Sequence, residues 1–269
     1  MRLQCDRLVF SYRSGVDVLR GADLCVAEGE AVFVLGANGS GKTTMLECLA
    51  GIRTPRSGQI RLDGDDVRRL SARERAQRVG LVPQIHEPVF DYTVAEVVLM
   101  GRAPHLGLFS RPSREDRAAV AWALAAVEIE HLRDRRYTAT SGGERQLALI
   151  ARGLAQGAGC LLMDEPAAHL DPHHRHDVFC AVARLAKEGF SFVVTSHQPN
   201  HALLYADRAA FLIDGRISVQ GSPADVLGEE ILRAAYGIRF EEIHDPEGLR
   251  AVLPHVDRGR LVNNGQQQR

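Results

Sequence analysis

The chain has 269 residues, 45% hydrophobic and 25% charged, the balance of a globular protein with a sizeable core. Its 33 basic and 34 acidic side chains give a formal net charge of -1, without the basic excess of a nucleic-acid binder. No apolar run approaches the roughly 18–20 residues that span a bilayer, and the opening MRLQCDRLVF lacks the apolar stretch of a secretory leader.

The first elements read as strands. LQCDRLVFSY and ADLCVAEGEAVFVLG are rich in Val, Leu and Phe and are broken by a Glu-Gly-Glu turn. The second runs into ANGSGKTTML, where a helix is expected from about Lys42 to Ala50, stopping at Gly51. Gly36, Gly41, Lys42 and Thr43 fit the pattern G-x-x-x-x-G-K-[ST], between a buried strand and a helix. Glycine there weakens both elements, so the backbone must need to be bare. Bare backbone lets successive N–H groups curl around phosphate oxygens, and the helix aims its positive end at the same anion. The phosphate loop therefore comprises Gly36, Ala37, Asn38, Gly39, Ser40, Gly41, Lys42, Thr43 and Thr44. Lys42 supplies a point charge for the outer phosphates, and Thr43 offers a hydroxyl to Mg²⁺.

SGQIRLDG predicts a short strand ending in an Asp-Gly turn, LSARERAQR a helix capped by Ser71, and VGLVPQ a buried strand. From about Ile85 strand signals give way to helical ones. Thr93 and Glu96 form a capping box before VAEVVLMG, and Ser113 caps REDRAAVAWALAAVEI. TSGGERQLALIARGLAQ places Ser141, Gly142 and Gly143 at a helix start, a second anion-binding nest. One small ligand rarely needs two such nests far apart in one chain; a dimer with two shared ligands would use both.

Strand and helix then alternate again. CLLMDE and FSFVVTSH suit inner strands of a parallel sheet, with VFCAVARLAKEG as the crossover helix. Asp164 and Glu165 end the first of these: Asp164 as a Mg²⁺ carboxylate, Glu165 to polarise an attacking water. HLDPHHRHD has histidines at ligand-like spacing, but a solvated helix start explains it better, with Asp171 as N-cap and Pro172 at the first helical position. RAAFLIDGRISVQG is a strand, an Asp-Gly turn and a second strand. Short strands are expected between about Ile238 and His255, and disorder in the last residues. Cys5, Cys25, Cys48, Cys160 and Cys180 form no C-x-x-C pair, so buried, reduced, cytosolic thiols are expected.

Over roughly residues 3–225 the chain resembles the ATP-binding subunits of ABC transporters. The resemblance rests on FSY, GANGSGKTT, VPQ, SGGERQ, LLMDEP, AHLD and TSHQP in the family's order. It implies an α/β fold of the P-loop NTPase type: a mixed sheet core, an inserted helical subdomain at about 85–142, and a small N-terminal antiparallel β region. Residues 1–225 would form the ATPase domain, 226–258 a C-terminal extension and 259–269 a disordered tail. It implies that Tyr12 stacks on adenine, Gln84 senses Mg²⁺ and the attacking water, and His197 lies near the γ-phosphate. Ser141, Gly142, Gly143 and Glu144 would meet the partner subunit's nucleotide, and Asp171 the dimer interface.

The sequence departs from the family at Thr140, usually Leu, at Glu144, usually Gln, and in PAAHLD. Glu144 fits if its carboxylate faces the ribose hydroxyls and is repelled if it faces phosphate. PVFDYTVAEVVLMGRAPHLGLFSRPSREDR and SHQPN resemble ATPases of importers for iron chelates, haem and cobalamin, and of a related molybdate/tungstate importer. The implied function is a homodimeric ATPase that uses ATP and Mg²⁺, with Glu165, His197 and Lys42 catalytic. It would sit on the cytoplasmic side of a bacterial inner membrane through separate permease subunits, with a substrate-binding protein as an indirect partner and no nucleic acid. The alternatives are an exporter's ATPase or a soluble, non-transport ABC ATPase. Against the latter, the chain holds one such module and no sustained heptads.

Overall fold

The computed structural model describes residues 1–13, 15–84, 91–107, 110–246 and 250–255. The first residues of the expected helical insertion, 85–90, the last of the expected C-terminal extension, 256–258, and the expected tail, 259–269, lie outside the described residues.

β1 (Leu3–Arg13) and β2 (Val16–Val26) pair antiparallel, with Leu3 opposite Val26 and Phe10 opposite Leu19. The sequence reading starts a strand only at Ala22. Asp17 and Arg20 mask the earlier turn into β2, where only Leu19 is fully buried before Ala22. β3 (Ala31–Leu35) is buried at every residue, as a central strand should be. It runs through the phosphate loop into α1 (Lys42–Leu49), which stops where Gly51 adopts φ +69°. β4 (Ser57–Leu62) and β5 (Asp65–Asp66) complete a four-stranded sheet in the order β2-β1-β4-β5. α2 (Ala72–Arg78) opens on the capping box of Ser71 and Glu74, and β6 (Val79–Val82) follows.

The stretch expected as the helical insertion, about 85–142, holds α3 (Val94–Leu99) and α4 (Arg114–Ala126), and α5 (Gly142–Ala155) starts at its end. The expected caps are present: Thr93 with Glu96, and Ser113 with Asp116. Asp116 is buried, and the Arg102 guanidinium 2.8 Å away holds its carboxyl down to about 2. Val97, Val98, Val120, Leu124 and Leu149 join these helices to the main core.

β7 (Cys160–Met163), α6 (Pro172–Lys187), β8 (Ser191–Ser196), α7 (Pro199–Tyr205), β9 (Arg208–Ile213) and β10 (Arg216–Gly221) follow. The main sheet has the order β10-β9-β3-β8-β7-β6, parallel except for β10. Side chains alternate across it with period two. Phe33, Leu161, Phe192 and Phe211 face α5 and α6, while Val32, Leu162, Val193 and Leu212 face α1 and the antiparallel sheet. The sheet is thus covered on both faces, and its functional edge must be at a strand end.

α8 (Pro223–Val226), α9 (Glu229–Tyr236), β11 (Phe240–His244) and β12 (Arg250–Pro254) complete the described chain. The short strands expected after Ile238 form this hairpin, with Phe240 opposite Pro254. Leu227, Leu232, Phe240 and Val252 share the core of the main sheet. The cysteines correct one expectation: Cys5, Cys48 and Cys160 are buried, Cys25 is half-buried, and Cys180 is exposed on α6. Burial pushes the first three thiols up to about 12. Helical spacing hid the exposure of Cys180, because the sequence does not say which face of α6 meets the sheet.

Candidate active site

Four neighbouring parallel strands end on the same side of the sheet, β3 and β8 together (Leu35 opposite Ser196) and β7 and β6 together two residues earlier (Met163 opposite Val194, Val82 opposite Met163). Beyond those ends lie the phosphate loop after β3, Gln84 after β6, Asp164 and Glu165 after β7, and His197 after β8. The carboxyl ends of parallel strands are where open α/β sheets bind ligands. A cavity of about 770 Å³ opens there. Tyr12, Asn38, Gly39, Gly41, Lys42, Thr43, Thr44, Gln84, Glu165 and His197 line it, and they come from distant parts of the sequence.

The loop's shape explains its glycines. Gly41 starts α1 at φ +103°, and a Cβ there would lie 3.1 Å from Val18 Cγ1. Lys42 is buried, and its ammonium donates to the carbonyls of Gly36 (2.9 Å) and Ala37 (3.1 Å). It also lies 3.4 Å from Glu165 Oε1. The other carboxylate oxygen, Oε2, is 2.9 Å from His197 Nδ1. Glu165 takes φ +44°, a left-handed turn uncommon outside glycine, directly after the strand. Its backbone N–H donates to Thr195 Oγ1 at 2.9 Å, and that hydroxyl donates to Asp164 Oδ1 at 2.7 Å. Thr195 thus fixes both acidic residues. Sequence reasoning missed it, because a threonine inside a strand reads as β propensity alone.

Tyr12 is 54% exposed at the cavity's rim. Its hydroxyl is 3.0 Å from Thr44 Oγ1, Phe10 meets it edge-on at 5.0 Å, and the Arg53 guanidinium sits 4.5 Å from its ring centroid. Arg53, also unforeseen, thereby places a cation against the aromatic platform.

Ser141, Gly142, Gly143 and Glu144 do not line this cavity; Gly143 and Glu144 border another, beside α6. Ser141 caps α5, accepting from Glu144 N–H at 3.2 Å, while Glu144 Oε2 accepts from Ser141 N–H at 2.6 Å. Those hydrogen bonds, foremost the backbone one, hold the Glu144 carboxyl below the usual range. The carboxylate is therefore folded back on its own helix. Asp171 caps α6 as expected, accepting from His174 N–H at 3.0 Å, with Pro172 in the first turn. The histidines of HLDPHHRHD separate: His169 lines the first cavity, His173 and His174 the second, and His176 meets Tyr205 at 2.9 Å. Among the described residues no three His, Cys, Asp or Glu side chains form a metal cage. Thr43 and Gln84 line the first cavity and Asp164 does not, its Oδ1 accepting from Thr195; all three carry the oxygen donors that a hard cation takes.

A phosphate loop facing an acidic strand end, with a histidine on the glutamate, defines a nucleoside triphosphatase. The ABC transporter family profile matches residues 19–168, more than half of the 269 residues. The chain is 38% identical over 246 residues to the hemin import ATP-binding protein HmuV of Myxococcus xanthus (strain DK1622), covering 86% of this chain and 91% of that protein. It is 36% identical over 255 residues to the ferric enterobactin transport ATP-binding protein FepC of Escherichia coli (strain K12), covering 94% of each. Its fold matches an inward-facing ABC transporter assigned to the metal-chelate type, with a TM-score of 0.83 and 30% identity over 95% of this chain and 98% of that one. The chain belongs to the ABC transporter family and is an ATP-binding, ATP-hydrolysing subunit coupled to transport. No described helix is long and apolar enough to cross a membrane.

Proposed function

We propose that two copies of the chain close around two ATP molecules and drive a separate permease of a metal-chelate importer. The observation that carries this reading is the separation of the two nests, the phosphate loop in one cavity and residues 141–144 beside another. Each nucleotide then lies between one copy's phosphate loop and the other copy's Ser141, Gly142 and Gly143. Asp171 faces the same interface. Tyr12 stacks on adenine, using the ring face that Arg53 leaves open.

Lys42 and the loop amides hold the phosphates. Thr43, Asp164 and Gln84 would hold Mg²⁺, which when bound would supply positive charge against the phosphate oxygens. Glu165 takes the proton of the attacking water, and His197 orients that carboxylate and meets the charge growing on the γ-phosphate. Glu144 braces the Ser141 turn through Oε2, while its Oε1, 3.9 Å from the Arg135 guanidinium, is the oxygen left to meet a ribose hydroxyl. Closure on ATP and release after hydrolysis form the switch that the helical insertion passes to the permease.

The names of the relatives favour import over export, with haem or an iron chelate as cargo; cobalamin and molybdate or tungstate are the neighbouring choices. A substrate-binding protein would deliver the cargo. The chain would then lie on the cytoplasmic face of a bacterial inner membrane, held by the permease. Light scattering of the Glu165→Gln chain on a sizing column tests the dimer. With Mg-ATP the mass should double over the 29.5 kDa chain. A monomer carrying bound ATP at every concentration, both alone and with the permease present, overturns the shared interface.

A further inference from the structure

His174 is clamped at both ring nitrogens. Nδ1 is hydrogen-bonded to Asp171 Oδ2, and Nε2 lies 3.2 Å from Ser141 Oγ. The backbone N–H of His174 also donates to Asp171 Oδ1 at 3.0 Å. The ring rests on bare backbone: a Cβ on Gly143 would lie 2.4 Å from His174 Cδ2. One imidazole therefore connects the two segments assigned above to the dimer interface, Asp171 before α6 and Ser141 before α5.

We propose that His174 is a positioning residue that releases the Ser141 hydroxyl to the partner's nucleotide by taking up a proton as the dimer closes. The inference rests on the two-ATP dimer proposed above. Asp171 is a carboxylate, held down to about 2 foremost by the His174 hydrogen bond, so it can only accept. The hydrogen between them therefore sits on Nδ1. In the neutral imidazole, Nε2 is then an acceptor, and Ser141 donates its single hydroxyl hydrogen to it. Ser141 Oγ already accepts from Glu144 N–H. In the open state the serine thus has no hydrogen left to offer.

A γ-phosphate oxygen is also only an acceptor. If the Ser141 hydrogen turns to it, the lone pairs of Nε2 and Oγ face each other. A proton on Nε2 replaces that repulsion with an N–H donated to Oγ. The Nε2–H bond forms with a proton from solvent, the Ser141 O–H stays intact, and no other bond changes. The surrounding charges are Asp171 on the loop, Glu144 on α5, His131 after α4, and His173 and Asp177 on α6. Glu128 and Arg184, farther along the same cavity, pair with each other at 3.1 Å. Cys180 also lines the cavity, but its sulfur faces His176 at 3.4 Å.

The closed dimer then binds more protons than two open chains. Association is favoured at low pH and weakens as pH rises. The limit is about tenfold per pH unit for each histidine, about a hundredfold per dimer. The test uses the full chain carrying Glu165→Gln, in Mg-ATP, by sedimentation at several concentrations between pH 6 and 8.5. Adding His174→Gln supplies a side-chain N–H donor at every pH. The variant should keep the low-pH affinity and lose most of the slope, and His174→Asn should lose the slope too. Titration of ATP itself is common to all the chains and cancels. A His174→Gln chain with the parent's slope, or a His174→Ala chain that keeps that slope, overturns the proposal. A parent that never dimerises with ATP overturns the dimer reading beneath it, a result separable from the other two.

Discussion

His197 Nδ1 lies 2.9 Å from Glu165 Oε2, joining the ends of two adjacent strands through one hydrogen bond. The other oxygen of the same carboxylate is 3.4 Å from Lys42 Nζ. Glu165 therefore links the proposed γ-phosphate histidine to the phosphate-loop lysine. In the proposed mechanism a triphosphate entering the loop would compete with Glu165 for Lys42 and so free the carboxylate to receive a proton.

Glu165→Gln should lower the turnover of Mg-ATP by about 10²–10⁴, the usual loss when a general base is removed. ATP affinity should hold or tighten slightly, because a carboxylate that repels the γ-phosphate is gone. Single-turnover hydrolysis and equilibrium binding measure the two separately. A loss below tenfold would assign the proton to another group.

His197→Ala should slow hydrolysis strongly and change affinity little, since its role falls in the transition state. Steady-state turnover at saturating Mg-ATP equal to that of the parent removes His197 from the mechanism.

Ser141→Arg should leave ATP binding by a single chain nearly unchanged and abolish hydrolysis. Ser141 is absent from the cavity of its own phosphate loop, and bulk at this helix start blocks approach of the partner. Calorimetry on dilute protein reads the first effect and phosphate release the second. A large loss of affinity in the monomer would put Ser141 in its own chain's site.

His201, four residues beyond His197, should make folding sensitive to acid. It is 8% exposed, packed 4.8 Å from the Phe179 ring, with Nδ1 3.0 Å from Ser196 Oγ. Burial, then the charges of Arg175 and His197, push it down to about 4 from 6.5. Below about pH 6.5 the unfolded chain takes up this proton and the folded chain does not. Stability from this group is thus complete above that pH and declines towards pH 4, by about 3 kcal/mol in all. Urea unfolding from pH 7 to 4.5 should show the decline, and His201→Leu should flatten it. An equal decline in both chains would place the acid sensitivity elsewhere.

Much of the molecule was legible because its signals are local. Period-two burial marks β1, unbroken apolar runs mark β3, β7 and β8, and Ser71, Thr93, Ser113 and Asp171 announce helix starts through their own caps. The phosphate loop was legible for the same reason: its glycines, Lys42 and Thr43 act through adjacent backbone. Glu165 stood out because it ends a buried strand, whereas His197 was reached through the family resemblance of TSHQP. The sequence could not say that β7 and β8 are neighbours, or that β3 lies between β8 and β9. Pairing of parallel strands joins residues far apart in the chain and leaves no local pattern. Tertiary structure alone therefore brought Thr195 to Asp164, Arg53 to Tyr12, and His174 between Asp171 and Ser141. The chemistry of the site is written in short runs of residues. Its geometry comes from burial of the sheet's two faces, which decides which of those runs meet.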